Sequence, residues 1–192
     1  MSDTSEKRCQ WCLASDVYRD YHDAEWGVPC RDSKQLFELI NLEGAQAGLS
    51  WITILNKRDA YRKLFLGFDP VKVARLTDSR LEKIAADPSI VRHLGKVMAV
   101  RGNAQAWLAM QKAGEDFSEF VWSFVDGNVV QNQFSSMGDV PSSTDASLAM
   151  CKALKKRGFK FVGATICYAF MQAAGLVNDH LTSCPRHSDL SS

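Results

Sequence analysis

The stretch ASLAMCKALKKRGFKFVGATICYAFMQAAG, Ala146 to Gly175, decides the fold. Apolar residues recur at three- and four-residue spacing on both sides of a short break, so it reads as helix, tight turn, helix. The first helix stops at Gly158, the turn is FKFVG, and the second helix runs from about Ala164 to a capping glycine, Gly175. The plain reading is a simple αα-hairpin. The sharper reading is a clamp for a nucleic-acid backbone. Gly163 permits close approach, and the amides of Ala164 and Thr165 open a helix whose dipole favours a phosphate. Lys155, Lys156, Arg157 and Lys160 add positive charge beside it.

The rest of the chain is also helical in pattern. Asp32 with Gln35 resembles a capping box, opening a helix through QLFELINLEGAQA. Ser50 is placed to cap a second helix, WITILNKRDAYRKLF, ending near Gly67. The segment IVRHLGKVMAVRGNAQAWLAMQKAG keeps helical spacing up to a terminating Gly114, with His93 inside it as a solvated or packing residue. SEFVWSFVDG is a short apolar helix or strand, and residues 126–144 read as a long polar surface connection. Alternating strand patterns are almost absent, so an all-α protein is expected.

The 192 residues suffice for a substantial core without disulfide support. A net charge of +1 excludes a uniformly basic shell, so any nucleic-acid contact must use a local patch, such as Lys152 to Lys160. No run approaches the roughly 20 apolar residues of a membrane span, and the N-terminal MSDTSEKR has no apolar leader core. A soluble, intracellular (cytoplasmic) monomer is expected. In that setting the six cysteines are thiols or metal ligands before they are disulfides, with Cys151 and Cys167 in the core.

One residue breaks the pattern. On the helix that includes LEGAQAGLSW, Leu36, Ile40, Glu43 and Ala47 share one stripe, which points the Glu43 carboxylate at the core. A partner group or a ligand must satisfy it there.

The termini carry metal-ligand types. HLTSC puts His180 and Cys184 one helical turn apart, CQWC supplies Cys9 and Cys12, and His22 follows Tyr21. Four such ligands would make a closed structural staple. Spacing alone favours Cys9, Cys12, His180 and Cys184, without excluding His22. His187 is expected in a flexible tail.

The stretches YHDAEWGVP (Tyr21 to Pro29), LEGAQAGLSWITIL (Leu42 to Leu55), FDPVKVA, IVRHLGK, FVWSF, the hairpin from Lys152 on to His180, and Cys184 together resemble one family. It is the type I 3-methyladenine DNA glycosylases, zinc-containing members of the helix-hairpin-helix superfamily of base-excision repair enzymes. The resemblance covers nearly the whole chain from Cys9 onward.

The resemblance implies an all-α helix-hairpin-helix glycosylase fold of two lobes over residues 9–184. Residues 1–8 and 185–192 would be flexible, the hairpin would lie at about 152–175, and one structural zinc ion would join the terminal segments. The implied ligands are Cys9, His22, His180 and Cys184, which leaves Cys12 a spare thiol. The implied substrate is double-stranded DNA carrying N3-methyladenine, and the product is free 3-methyladenine. Glu43, Tyr21, Trp51, Tyr18, Trp11 and Trp26 would then recognise the flipped base.

Gly48, Leu49, Lys160, Gly163, Ala164 and Thr165 would meet DNA, with Leu49 filling the gap the base leaves. Asp179 would orient the zinc-site loop. Ala45 stands where members of that family can carry glutamine, while Gln46 is kept. A competing expectation is a non-catalytic, zinc-stapled DNA-binding module, which would have no use for an inward carboxylate among aromatic rings.

Overall fold

The computed structural model describes residues 8–191, and helices dominate them. In chain order they are α1 (Asp16–Ala24), α2 (Ser33–Gln46), α3 (Trp51–Leu55), α4 (Arg58–Leu64), α5 (Pro70–Val73) and α6 (Asp78–Ala86). Next come α7 (Leu94–Lys112), α8 (Phe117–Trp122), α9 (Asp145–Lys156), α10 (Ala164–Ala173) and α11 (Pro185–Asp189). Two short strands, β1 (Val130–Gln131) and β2 (Val177–Asn178), pair in parallel, with Val130 opposite Val177 and Gln131 opposite Asn178.

Most helices begin where a side chain takes an orphan amide. Ser15, Asp32, Asp69, Thr77, Asp116 and Thr144 each accept from the first turn of α1, α2, α5, α6, α8 and α9, at about 1 kcal/mol per cap. The reciprocal half of the box expected at Asp32 is missing, because Gln35 accepts from the Cys30 thiol instead.

Helix α2 is the axis of the molecule, packed on α7, α8 and α10. Leu36, Phe37, Ile40 and Leu42 are fully buried, in a core that also takes Phe65, Phe68, Trp122 and Phe170. A second, smaller core forms from Cys9, Tyr21, Trp26, Leu55, Leu181 and Cys184, where the two ends of the chain meet.

The hairpin of α9 and α10 is fixed to this axis by buried amides. Asn103 on α7 accepts from the Lys160 amide at 2.8 Å and donates to the Lys160 carbonyl at 3.2 Å and to the Asn41 carbonyl oxygen at 2.9 Å. A Cβ at Gly44 would stand 3.1 Å from the Phe161 carbonyl, so glycine lets α2 approach the turn. The hairpin boundaries agree with the sequence reading, with Gly158 and Gly175 both at positive φ. At Gly175 a side chain would run 2.5 Å from the backbone of Val28 and Pro29, so no other residue fits.

Several expectations change. The helix expected after Ser50 is two, α3 and α4, broken at Asn56 and Lys57 so that Leu55 can enter the small core while Tyr61 and Phe65 enter the large one. Ser50 bonds the Thr53 hydroxyl and not the helix amides. His93 is the N-cap of α7, its Nδ1 accepting from the Lys96 amide at 3.1 Å.

The connection at residues 126–144 is not all loop, since β1 lies in it and pairs beside Asp179. His187 is buried in α11 and bonds the Asn132 carbonyl at 2.8 Å, so this part of the tail packs on the body. Of the N-terminal segment expected to be flexible, residues 1–7 lie outside the described residues, while Arg8 pairs with Asp23.

Candidate active site

A cleft of about 260 Å³ opens between the two cores. Trp11 comes from a 3-10 turn, Tyr18 and Tyr21 from α1, Trp26 from the turn after it, and Trp51 from the start of α3. Trp11 meets Trp26 edge-on at 5.1 Å and Tyr18 at 5.3 Å, and Tyr21 lies 5.7 Å from Trp51. The Tyr18 hydroxyl accepts from the Ile52 amide at 2.8 Å, which ties α1 to α3 across the mouth. All six residues expected to recognise a base line this one cleft.

Glu43 enters from α2. It is 4 % exposed and makes no hydrogen bond or ion pair with any described residue. Burial alone pushes its carboxyl up to about 8. Burial also raises the Tyr21 hydroxyl well above its ordinary value, with the Glu43 charge adding to the effect. The rings are stacking surfaces, and the carboxyl is an acceptor without a donor.

Sequence reasoning missed four lining residues, Gln46, Met137, Ala169 and Gln172. Ala169 and Gln172 are one turn apart on α10, which a helical wheel of the hairpin could have flagged. Met137 sits in the polar connection, where no pattern pointed inward. The neighbour of Gln46, Ala45, is buried in the core and does not line the cleft.

The turn after α2 stands out from the surface. Gly48 and Leu49 are exposed, Gly48 has φ +79°, and a Cβ there would meet nothing within 4 Å. The Gln46 side chain donates to the Leu49 carbonyl at 2.7 Å, and Lys96 donates to the carbonyls of Ala45 and Ala47 at 2.9 and 2.6 Å. Leu49 is therefore displayed on a braced turn, and is not a core leucine.

At the hairpin, Gly163 opens α10 with no side-chain cap, and again no atom lies within 4 Å of a Cβ position. Lys160 and Thr165 are exposed beside it. Arg157 does not join the free charge, because Glu115 holds it at 2.5 Å and it lies on the Phe120 ring.

Behind the aromatic wall, Cys9, His22, His180 and Cys184 are all buried, with ligand atoms within 4.8 Å of one another. Their separations include 3.1 Å between the two imidazole nitrogens and 3.6 to 3.9 Å between nitrogens and sulfurs. A tetrahedral site with sulfur and nitrogen ligands has edges of roughly 3.3–3.8 Å, so the four can hold a metal ion. The outer nitrogens are committed: His22 Nδ1 faces Asp23 at 2.7 Å and His180 Nε2 faces the Trp26 carbonyl at 3.1 Å. Both inward lone pairs are thereby freed for a metal.

Hydrogen bonds from Cys9, His180 and His22 hold Cys184 well below the usual thiol range. Cys12, although buried, is outside the group, and His22 is the residue that stands with Cys9, His180 and Cys184.

Comparison with known proteins agrees with this geometry. The sequence profile of the methyladenine glycosylase family matches residues 11–187. The DNA-3-methyladenine glycosylase 1 of Escherichia coli (strain K12) is 56% identical over 178 residues, covering 93% of this chain and 95% of that protein. A crystal structure of a 3-methyladenine DNA glycosylase I superposes with a TM-score of 0.91 at 56% identity, covering 93% of this chain and 98% of the other. A Staphylococcus aureus 3-methyladenine DNA glycosylase I, solved to show 3-methyladenine recognition, matches with a TM-score of 0.90 at 40% identity over 93% of this chain and 95% of its own. The chain belongs to the methyladenine glycosylase family.

Proposed function

We propose that the protein is a DNA repair glycosylase that flips N3-methyladenine out of alkylated duplex DNA and hydrolyses its N-glycosidic bond, releasing free 3-methyladenine. The observation that carries this reading is Glu43, a buried carboxyl with no protein partner inside a ring-lined cleft. A group in that state is completed by a ligand that brings positive charge or donors.

N3-methylated adenine brings both. Methylation makes the purine a cation, so the departing base leaves neutral and needs little acid help. The binding energy then serves selection. Trp51 and Tyr21 offer faces worth roughly 0.5–2 kcal/mol per contact to a cationic ring. Glu43 accepts from the exocyclic amine, and the cation draws its pKa back down from about 8. A guanine lesion presents a carbonyl oxygen at that edge and is refused.

The uncapped start of α10, with Gly163, Ala164, Thr165 and Lys160, holds a backbone phosphate. Leu49 on its braced turn fills the space the base vacates. The buried Cys9, His22, His180 and Cys184 hold one structural zinc ion, which leaves no open position for water and locks Trp11 and Trp26 in place. We assign action to a monomer in the compartment that holds the chromosome. Among the described residues no helix is long and apolar enough to cross a membrane.

The test is Glu43→Gln, measured for affinity to free 3-methyladenine and for excision rate. Recognition by Glu43 predicts that both fall, whereas a lost rate with unchanged affinity contradicts it.

A further inference from the structure

Asp179 is a buried carboxyl group that takes three donors and forms no ion pair among the described residues. Asn132 donates to one oxygen at 2.7 Å, while the Tyr168 hydroxyl and the Gln172 amide donate to the other at 2.6 and 2.8 Å. Pairing of β1 with β2 brings Asn132 beside it, and α10 supplies the other two. The Gln172 NH₂ faces Asp179, so its carbonyl oxygen faces away. That oxygen accepts no hydrogen bond from any described residue, and Gln172 lines the same cleft as Glu43.

The depth of Gln172 says which part of a ligand it meets. Gln172 is eight residues along α10 from Ala164, about 12 Å of helix rise. With a phosphate at the helix start, that depth passes the sugar and reaches the far edge of a flipped purine. Ala169, one turn nearer the start, has no polar group for the sugar.

We propose that Gln172, oriented by Asp179, is a second acceptor for the exocyclic amine, so that the two N–H groups are divided between Glu43 and Gln172. The inference rests on the base assignment made above. Asp179 is the positioning residue in this scheme, and Gln172 the specificity-determining one. A neutral acceptor suits the place. It adds a test for an amine without putting a second charge beside Glu43.

The experiment compares two free bases, 3-methyladenine and 3-methylpurine, which lacks the amine, on the wild-type protein and on Gln172→Met. The variant keeps length and volume, and a second variant, Gln172→Leu, guards against one misfolding. The expected result is a loss of roughly five- to tenfold for 3-methyladenine with 3-methylpurine unchanged. Equal losses on both bases, or no loss on either, overturn the proposal. A wild-type protein that binds no 3-methyladenine overturns the base assignment and this inference together, whereas normal wild-type binding with unaffected variants overturns this inference alone.

Discussion

Asn103 takes both backbone groups of Lys160, accepting from its amide at 2.8 Å and donating to its carbonyl at 3.2 Å. This one amide sets the hairpin turn against α7 and, through Asn41, against the helix that carries Glu43. Removing it leaves the part-buried N–H and C=O of Lys160 and the buried Asn41 carbonyl oxygen without this partner. Asn103→Ala should cost about 2–3 kcal/mol of stability, read as a lower denaturation midpoint, and should weaken DNA binding more than binding of free 3-methyladenine. A midpoint unchanged from wild type contradicts the clamp.

Glu43 makes stability depend on pH in a defined direction. Its folded value is about 8 against an ordinary 4.5, so between these the folded state keeps a proton that the unfolded chain has lost. Stability from this group falls as pH rises through that window, by an amount on the order of 5 kcal/mol once above it. Glu43→Gln should therefore be more stable than wild type above pH 8 and nearly equal to it near pH 4.5. A stability difference that stays flat over that range would show the carboxyl to be solvated.

The metal group predicts a split between Cys12 and His22. Zinc content should be near one per chain in the wild-type protein and in Cys12→Ala, and should be lost in His22→Ala. Because His22 and His180 both contact Trp26, loss of the ion should also change tryptophan fluorescence. Full zinc retention by His22→Ala would return Cys12 to the ligand set.

Gly163 has room for a side chain at an ordinary backbone angle, φ −63°, so a larger residue should fold normally. Gly163→Val should leave the melting temperature within a degree or two and weaken duplex binding at least about tenfold by covering the α10 amides. Lys160→Ala should reduce the slope of log affinity against log salt by about 1. Unaltered binding by both would place the DNA elsewhere.

Leu49 is tested by contrast. Leu49→Ala should lower turnover on duplex DNA while leaving affinity for free 3-methyladenine unchanged. Equal losses on both would assign it to the base pocket.

Where one residue type dictates local geometry, the sequence was readable. The glycines at 158, 163 and 175 delimit the hairpin as expected, and the wheel position of Glu43 predicts its burial. His22 over Cys12 came only from resemblance, because both lie within reach of Cys9 in sequence and only the path of α1 separates them. The role of β1 was hidden. Two strands of two residues carry no alternation, yet they bring Asn132 to Asp179. His187 read as tail because a five-residue helix buried by contact with a distant loop leaves no periodic pattern.

The most direct measurement is to incubate the purified protein with methylated duplex DNA and identify the free bases released. The account predicts release of 3-methyladenine while 7-methylguanine stays in the DNA. Release of no base, or of both alike, would contradict it.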